Sequence, residues 1–372
     1  MTGPPSRPSR SPRVGILDAL GLRSADSLSM GLLQGVESLG FEAIRLAGRP
    51  PAAIARPRGH SVTRPQGVRG CDVLINLDPL QPLVHPRMVS FVPSAGRQTI
   101  GRPRYGWEHL SAQEIADTLR IERETYAASV ACAAATPWAV ESLVQDYDVS
   151  ADRCFAVGIG PAGKSDGATV VPHPAGHPRF AVVVDSTRPG NLEELHLAFA
   201  KVREVHPRAS LDLLPADLDP LPLGLSGVPG AQRVKRGLGR GLSPRITQQR
   251  LAGQATGLIV VTSFDPVGLV NLKAAAQGIP SIVVADGGVA DVLGDAGISI
   301  PRHDVAGLAG AMIHLAEPET QRAIRAAARA RAALMTWPRV ARRLLQVAGV
   351  LEPNPVDWTE LFRPSRLGRP LP

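Results

Sequence analysis

The chain has 372 residues, a formal net charge of +8 and 44 % hydrophobic residues. That length exceeds one comfortable core and predicts two domains. No apolar run approaches the roughly 18 residues needed to cross a bilayer.

Cys71, Cys132 and Cys154 lie far apart without a CxxC or CxxH arrangement, which argues against a metal or disulfide framework and fits a reducing cytoplasm. Only four of the 41 basic residues are lysines (Lys164, Lys201, Lys235 and Lys273). A basic surface can attract a sugar nucleotide, an anionic membrane or a nucleic acid. Aromatics make up only 4 % and are not interleaved with the arginines, so no nucleic-acid partner is expected and the charge reads as scattered and solvated. Residues 1–12 read as a loose basic tail without the apolar stretch of a signal peptide. The expected location is cytoplasmic, with at most peripheral contact with the inner face of the membrane.

The first domain is expected over 13–163. Arg13 to Asp18 (RVGILD) reads as a strand, Ala19 to Ser24 as a loop, and Asp26 or Ser27 as the cap of a helix running to Leu39, closed by Gly40. Phe41 to Leu46 begins a second strand, 48–69 reads as irregular surface, and Cys71 to Leu77 is a third strand ending in Asp78-Pro79. Met88 to Val92 is a fourth, followed by Pro93 to Arg97. This opening has the layout of a nucleotide-binding half, without a GxGxxG. Ser111, with Glu114 three residues on, signals a capping box for a long helix whose end, Ala131 to Thr136, also fits the next strand. A helix over Ala139 to Tyr147 and a short strand and glycine turn within Asp152 to Gly160 complete the domain. Residues 164–178 form a Gly-, Pro- and His-rich linker, where prolines keep His173 and His177 off a common helix face.

The second domain is expected over 179–347. Arg179 to Val184 is a strand, Asn191 caps a helix, and Ala209 to Leu214 is the next strand. Residues 215–232 read as loop, Arg233 to Leu242 as a basic, Gly-rich run, and Ser243 to Gln254 as a helix. Gly257 to Asp291 reads as a complete βαβ unit. Its strand Leu258 to Val261 is apolar enough to be buried on both faces. Thr262 to Gly268 is a loop and Leu269 to Gln277 a helix, punctuated by Gly278 and Pro280. Ser281 to Val284 is the second strand, followed by the turn Asp286-Gly287-Gly288. Ligands of open α/β sheets bind beyond the carboxyl ends of the strands, and a helix beginning after Pro266 offers free N–H groups to a phosphate. Helices over Asp304 to Ala316, Glu319 to Ala333 and Arg339 to Val347 follow. The Pro-rich tail 348–372 has Trp358 and Phe362 as anchors.

RLAGQATGLIVVTSFDPVGLVNLKAAAQGIPSIVVADGGVADVLGDAGISIP, with its Gly-Ile-Pro and Gly-Gly turn, resembles the most diagnostic stretch of the retaining, nucleotide-sugar-dependent glycosyltransferases of the GT-B fold known as family 4. NLEELHLAFAKVREVHPRASLDLL and the closing Arg-Ala-rich helix with Trp337 are similar to other parts of that family's C-terminal domain. RETYAASVACAAATPWAVESLVQDYDVSADRCFAVGIG resembles the end of its N-terminal domain, so the likeness covers about residues 120–347. The resemblance implies an α/β chain of two Rossmann-like β/α/β domains facing across a cleft. It implies transfer of a hexose from a nucleotide-diphosphate sugar to a glycan, lipid or small-molecule acceptor, with retention. The nucleotide sugar is a substrate, and no cofactor or metal is expected.

In that family two glutamates eight positions apart hold the sugar and the ribose; Asp265 and Lys273 stand at the matching positions here. Asp265 keeps the charge with a shorter reach and is the catalytic-site candidate. Lys273 reverses the second charge and has no acceptor. The resemblance implies donor contacts from Val267, Gly268, Leu269 and Val270 at the helix start and from Gly287 and Gly288 at the turn. Asp185 and Gly190 align with two cations of the family's first loop, leaving Arg188 as a displaced candidate. Read without the resemblance, Asp265 equally fits a helix cap with Pro266 at the first helical position, and Lys273 a solvated helical lysine. Gly21, Asp78, Ser94, Arg97 and His109 are the acceptor-side candidates, and each also fits a turn or surface position. A non-catalytic scaffold of the same fold is the alternative function, because the second carboxylate and both loop cations are missing together.

Overall fold

The structure is a computed structural model that describes residues 11–18, 23–47, 67–81, 83–102, 105, 107–161, 177–184, 190–215, 231–233, 255–261, 264–354 and 361–362. The chain forms two compact units. The first comprises Met1–Gly163 with Met335–Leu361, the second Lys164–Leu334 with Phe362–Pro372.

The first unit holds strands β1 (Arg13–Asp18), β2 (Glu42–Ala47), β3 (Val73–Asn76), β4 (Met88–Val92), β5 (Ala131–Ala134) and β6 (Cys154–Ala156). They form one sheet in the order β2-β1-β3-β4-β5-β6, parallel at every junction. Its helices are α1 (Arg23–Ser38), the short α2 (Gly96–Thr99), α3 (Ala112–Ala128) and α4 (Pro137–Gln145). Helix α1 starts at Arg23, ahead of the expected cap at Asp26 or Ser27, and α2 follows the loop read after Val92. The α3 capping box forms as its spacing predicts: the Ser111 backbone donates to Glu114 at 2.8 Å and the Glu114 amide donates to Ser111 Oγ at 3.3 Å. Thr136 Oγ1 accepts from the Ala139 amide at 3.2 Å, so α4 begins at Pro137. Strand β3 is buried at every position, as a parallel strand covered on both faces must be.

The second unit contains β7 (Arg179–Val184), α5 (Gly190–Val205), β8 (Ser210–Pro215), β9 (Ala231–Arg233), β10 (Gly257–Val261), α6 (Leu269–Ala276), β11 (Ser281–Val284), α7 (Val289–Leu293), β12 (Gly297–Ile300), α8 (Val305–Ala316) and α9 (Pro318–Leu334). Its sheet runs β12-β11-β10-β7-β8-β9, again all parallel. Period-two alternation sends Phe180 and Val182 into a core with Leu195, Phe199, Ile259, Ile282 and Met312. Their neighbours Ala181, Leu258 and Val260 pack on the other face with Ala274 and Ile279. Three elements depart from the sequence reading. Strand β9 falls at the end of the expected loop 215–232, α7 follows directly on the expected Gly-Gly turn, and β12 is a four-residue edge strand that the sequence reading did not include. Linker residues 164–176, the expected helix Ser243 to Gln254, the basic run from 234 to 242 and Trp358 lie outside the described residues, while Phe362 stacks under the Arg331 guanidinium at 5.3 Å.

The last helix, α10 (Trp337–Val347), belongs to the first unit, whereas the sequence reading placed it in the second domain. The reason is steric complementarity. Gly31 and Gly35 leave a flat strip on α1, and a methyl at Gly31 would lie 2.2 Å from Trp337 Nε1. The indole Nε1 donates to Pro161 O at 2.8 Å, and Trp337, Val340, Ala341, Leu344 and Leu345 are buried. Arg343, 1 % exposed, donates to Val157 O at 3.0 Å. Arginines of α9 do the same in the second unit: Arg325 donates to Ala255 O at 2.7 Å and Arg331 Nε to Val292 O at 2.7 Å. These three guanidinium groups bind backbone carbonyls and so serve the fold itself.

Candidate functional site

The order of the second sheet reverses between β7 and β10. In open α/β sheets that reversal opens a crevice at the carboxyl ends of the two strands. The loop after β7, with Asp185 and Arg188, lies outside the described residues. After β10 the chain turns through Phe264 to Gly268. Asp265 Oδ1 accepts from the Val267 amide at 3.1 Å and the Gly268 amide at 2.7 Å, an Asx-type turn. Helix α6 starts at Leu269, with Gly268 at its N-cap in the left-handed region (φ 60, ψ 39). The reading of Asp265–Pro266 as cap and first helical residue is therefore corrected: the carboxylate caps the loop, and the left-handed glycine redirects the chain into the helix.

Two amides expected to face a phosphate, those of Val267 and Gly268, thus already donate to Asp265. Leu269 and Val270 follow as the first helical residues, whose N–H groups have no acceptor within the helix. Burial raises the Asp265 carboxyl above its ordinary range, against the two amide bonds that lower it. Lys273 is half-buried in the last turn of α6. Two residues before it, Asn271 is fully buried, and among the described residues neither its amide oxygen nor its amide nitrogen has a partner. Sequence reasoning passed over Asn271; a lone amide between apolar neighbours at a helix start was the available signal.

The turn after β11 is fastened to this loop through the backbone. The Asp265 amide donates to Asp286 O at 3.2 Å, and the Val289 amide donates to Asp265 O at 3.2 Å. Gly287 (φ 100) sits directly on that carbonyl: a Cβ there would lie 2.4 Å from Asp265 O. Gly288 is the N-cap of α7. Asp286 pairs with Arg302 at 3.2 Å. The two loops that the sequence singled out are one hydrogen-bonded unit.

In the first sheet the order reverses between β1 and β3. Asp18, Asn76 and Asp78 end those strands and are 1 %, 2 % and 6 % exposed. Arg45 holds Asp18 Oδ2 at 2.6 Å; Asn76 Oδ1 accepts from the Asp78 amide at 2.9 Å. Among the described residues, Asp18 Oδ1 and Asn76 Nδ2 have no partner. Burial, reinforced by the Asp18 charge, raises the Asp78 carboxyl to about 6 against the Leu80 amide bond. Asp18 and Asn76 were missed by sequence reasoning, although a polar residue closing an apolar strand was the visible sign. Gly21 lies outside the described residues. Ser94 is half-buried between β4 and α2, Arg97 is exposed on α2, and His109, 80 % exposed, lies on a 3-10 turn.

Beside Ser94 and Arg97, Glu122 of α3 reaches the start of α2. Its carboxylate accepts from the Gly96 amide at 3.2 Å and from the Tyr147 hydroxyl, whose oxygen accepts from the Arg97 amide at 2.9 Å. Burial raises the Glu122 carboxyl from 4.5 to about 7, against both hydrogen bonds. The folded state therefore holds this proton more tightly than the unfolded chain. The resulting stabilisation is full below the unfolded value and is lost as pH rises through the folded one, a change on the order of 3 kcal/mol. Urea unfolding at pH 5 and pH 8 is expected to show lower stability at pH 8, with a smaller difference in Glu122→Gln. An equal difference in the variant would remove Glu122 as its source.

Among the described residues no cluster of three or more His, Cys, Asp or Glu forms a metal site, and no helix is long and apolar enough to cross a membrane. No family model matches the chain. Sucrose-phosphate synthase from Spinacia oleracea is 28 % identical over 116 residues, 30 % of this chain, and the match spans only 11 % of that protein. WaaG, a glycosyltransferase involved in lipopolysaccharide biosynthesis, superposes with a TM-score of 0.61 at 13 % identity, covering 90 % of this chain and 99 % of that one. Sucrose-phosphate synthase from Thermosynechococcus elongatus gives 0.60 at 16 % identity over 91 % and 98 %. HepE from Anabaena, solved with UDP and glucose, gives 0.57 at 12 % over 91 % and 100 %. The chain has the two-domain α/β architecture of the GT-B fold. At these identities the likeness establishes fold and leaves activity to the site.

Proposed function

We propose that this chain is a glycosyltransferase that moves a sugar from a nucleotide-diphosphate sugar to a glycan, lipid or small-molecule acceptor with retention of configuration. The observation that carries this reading is the interlocked pair of loops at the reversal of the second sheet, where α6 begins. A leaving diphosphate gains charge as the glycosidic bond breaks, and helical amides aimed at it lower the barrier. Leu269 and Val270 are the amides assigned to that role, with Arg188 and Lys273 as cationic supports. Asp265 faces the sugar, and Gly287 and Gly288 let the second loop approach. The acceptor's proton leaves largely toward the departing phosphate. Asp78, Ser94, Arg97, His109 and Gly21 are assigned to the acceptor side. UDP-glucose, with which HepE has been solved, is the first donor to try.

One observation favours a second reading, a GT-B scaffold that binds a partner or glycan without turnover: Asp265 already serves its own loop amides. Calorimetric titration with UDP- and GDP-sugars separates the two. Binding in the micromolar-to-millimolar range is expected for the enzyme; an intact fold that binds no common sugar nucleotide would reject it. Asp265→Asn keeps an oxygen for the loop amides but loses the charge. A tenfold or greater loss of donor affinity, about 1.4 kcal/mol, is expected if the carboxylate holds the sugar. Unchanged affinity in Asp265→Asn would confine the residue to the loop. Gained donor binding by Lys273→Glu would mark the site as degenerate.

A further inference from the structure

The outward face of α10 carries two cations that neither reading uses. Arg339 and Arg342 are exposed and stand three residues apart, so both project from one side of the helix. With Pro338 and Asn354 they line a pocket of about 300 Å³ in the first unit. Buried or half-buried guanidinium groups of this chain have a definite acceptor, as Arg343 takes Val157 O and Arg325 takes Ala255 O, whereas exposed ones such as Arg87 and Arg329 have none among the described residues. Arg339 and Arg342 have no hydrogen-bond or acidic partner among the described residues. Their placement is also electrostatically unfavourable. Arg339 lies in the first turn of α10, next to the positive end of its dipole, and Arg342, one turn on, repels it at this spacing. The first turn has no acidic residue, and the N-cap residue Thr336 makes no side-chain capping bond. Local choices that oppose the fold without compensation are the ones to expect at a binding site.

We propose that this pocket is an anion site that takes a phosphate group, held by the Arg339 and Arg342 guanidinium groups and by the positive end of α10. Guanidinium matches phosphate oxygens in bidentate geometry, and a bound anion reverses both unfavourable interactions at once. The site uses none of the residues of the loops after β10 and β11 and does not depend on the donor reading. The phosphate can belong to a small soluble compound or to a lipid headgroup, and the two sources are separable. Full-length protein and Arg339→Gln/Arg342→Gln would be titrated with inorganic pyrophosphate by calorimetry. Both would also be sedimented with phosphatidylcholine vesicles with and without phosphatidylglycerol.

A tenfold or greater loss of pyrophosphate affinity in the variant assigns the site to soluble phosphates. Loss of sedimentation with the anionic vesicles alone assigns it to a lipid headgroup. The exposed side chains leave the thermal midpoint unchanged. Arg120→Gln/Arg322→Gln, which removes the same charge elsewhere, is expected to keep both kinds of binding. Equal behaviour of wild type and the α10 variant in both assays, or an equal loss in the control, would overturn the proposal.

Discussion

Gly287→Ala is expected to destabilise the second unit by roughly 3–5 kcal/mol and to abolish the donor binding proposed for the β10 and β11 loops. The new methyl would stand 2.4 Å from Asp265 O and 2.9 Å from its carbonyl carbon, and neither backbone atom can yield as a flexible side chain would. The φ of 100 adds strain for any L side chain, typically about 1–3 kcal/mol, and overpacking a tight contact adds about as much. Relief requires breaking the Val289 to Asp265 hydrogen bond, which opens the junction of the two loops. Gly310→Ala is the matched control. Its methyl meets nothing within 4 Å on α8, so helix propensity predicts a gain of up to about 1 kcal/mol. Thermal unfolding of both variants tests the contrast, and equal stability in Gly287→Ala and wild type would refute the locked-loop account.

The second large effect belongs to the first unit. Gly35→Ala places a methyl 2.5 Å from the backbone oxygen of Trp337 and 3.2 Å from Ala341 Cβ. Helix α10 must then retreat from α1, loosening the buried Trp337, Val340, Ala341, Leu344 and Leu345. A loss of roughly 2–4 kcal/mol is expected. Because the chain has two compact units, the two transitions must be followed separately. The prediction is that proteolysis within 335–361 accelerates while the second unit keeps its protection. Equal cleavage rates in wild type and variant would show that the glycine strip does not seat α10.

The same strip shows why the ownership of α10 could not be read from sequence order. The segment follows α9 after two residues, and nothing local to it names a partner. Its docking depends on Gly31 and Gly35, some 300 positions earlier, matching an indole in three dimensions. Strand β12 was missed for another reason: Gly297 to Ile300 is only four residues long and opens on a glycine, too short a pattern to stand out, and pairing with β11 supplies its order. Asp265 illustrates the limit within one loop. Its type and position fit a cap or a ligand contact, and only the left-handed Gly268 and the two amide distances show where its carboxylate goes.

What the sequence determined by itself was whatever has a short-range cause. The apolar runs of β1, β4, β7, β10 and β11, the Ser111 cap, and the glycine after α6 fixed the alternating β/α plan and located the βαβ unit from 257 to 291. Tertiary structure alone decided the strand orders, hence the two reversal points, and with them the gathering of Asp18, Asn76 and Asp78 at one and of Asp265, Gly287 and Asn271 around the other. Pattern and propensity act over a few residues. Strand order and the burial of polar groups depend on contacts between segments that only the folded chain brings together.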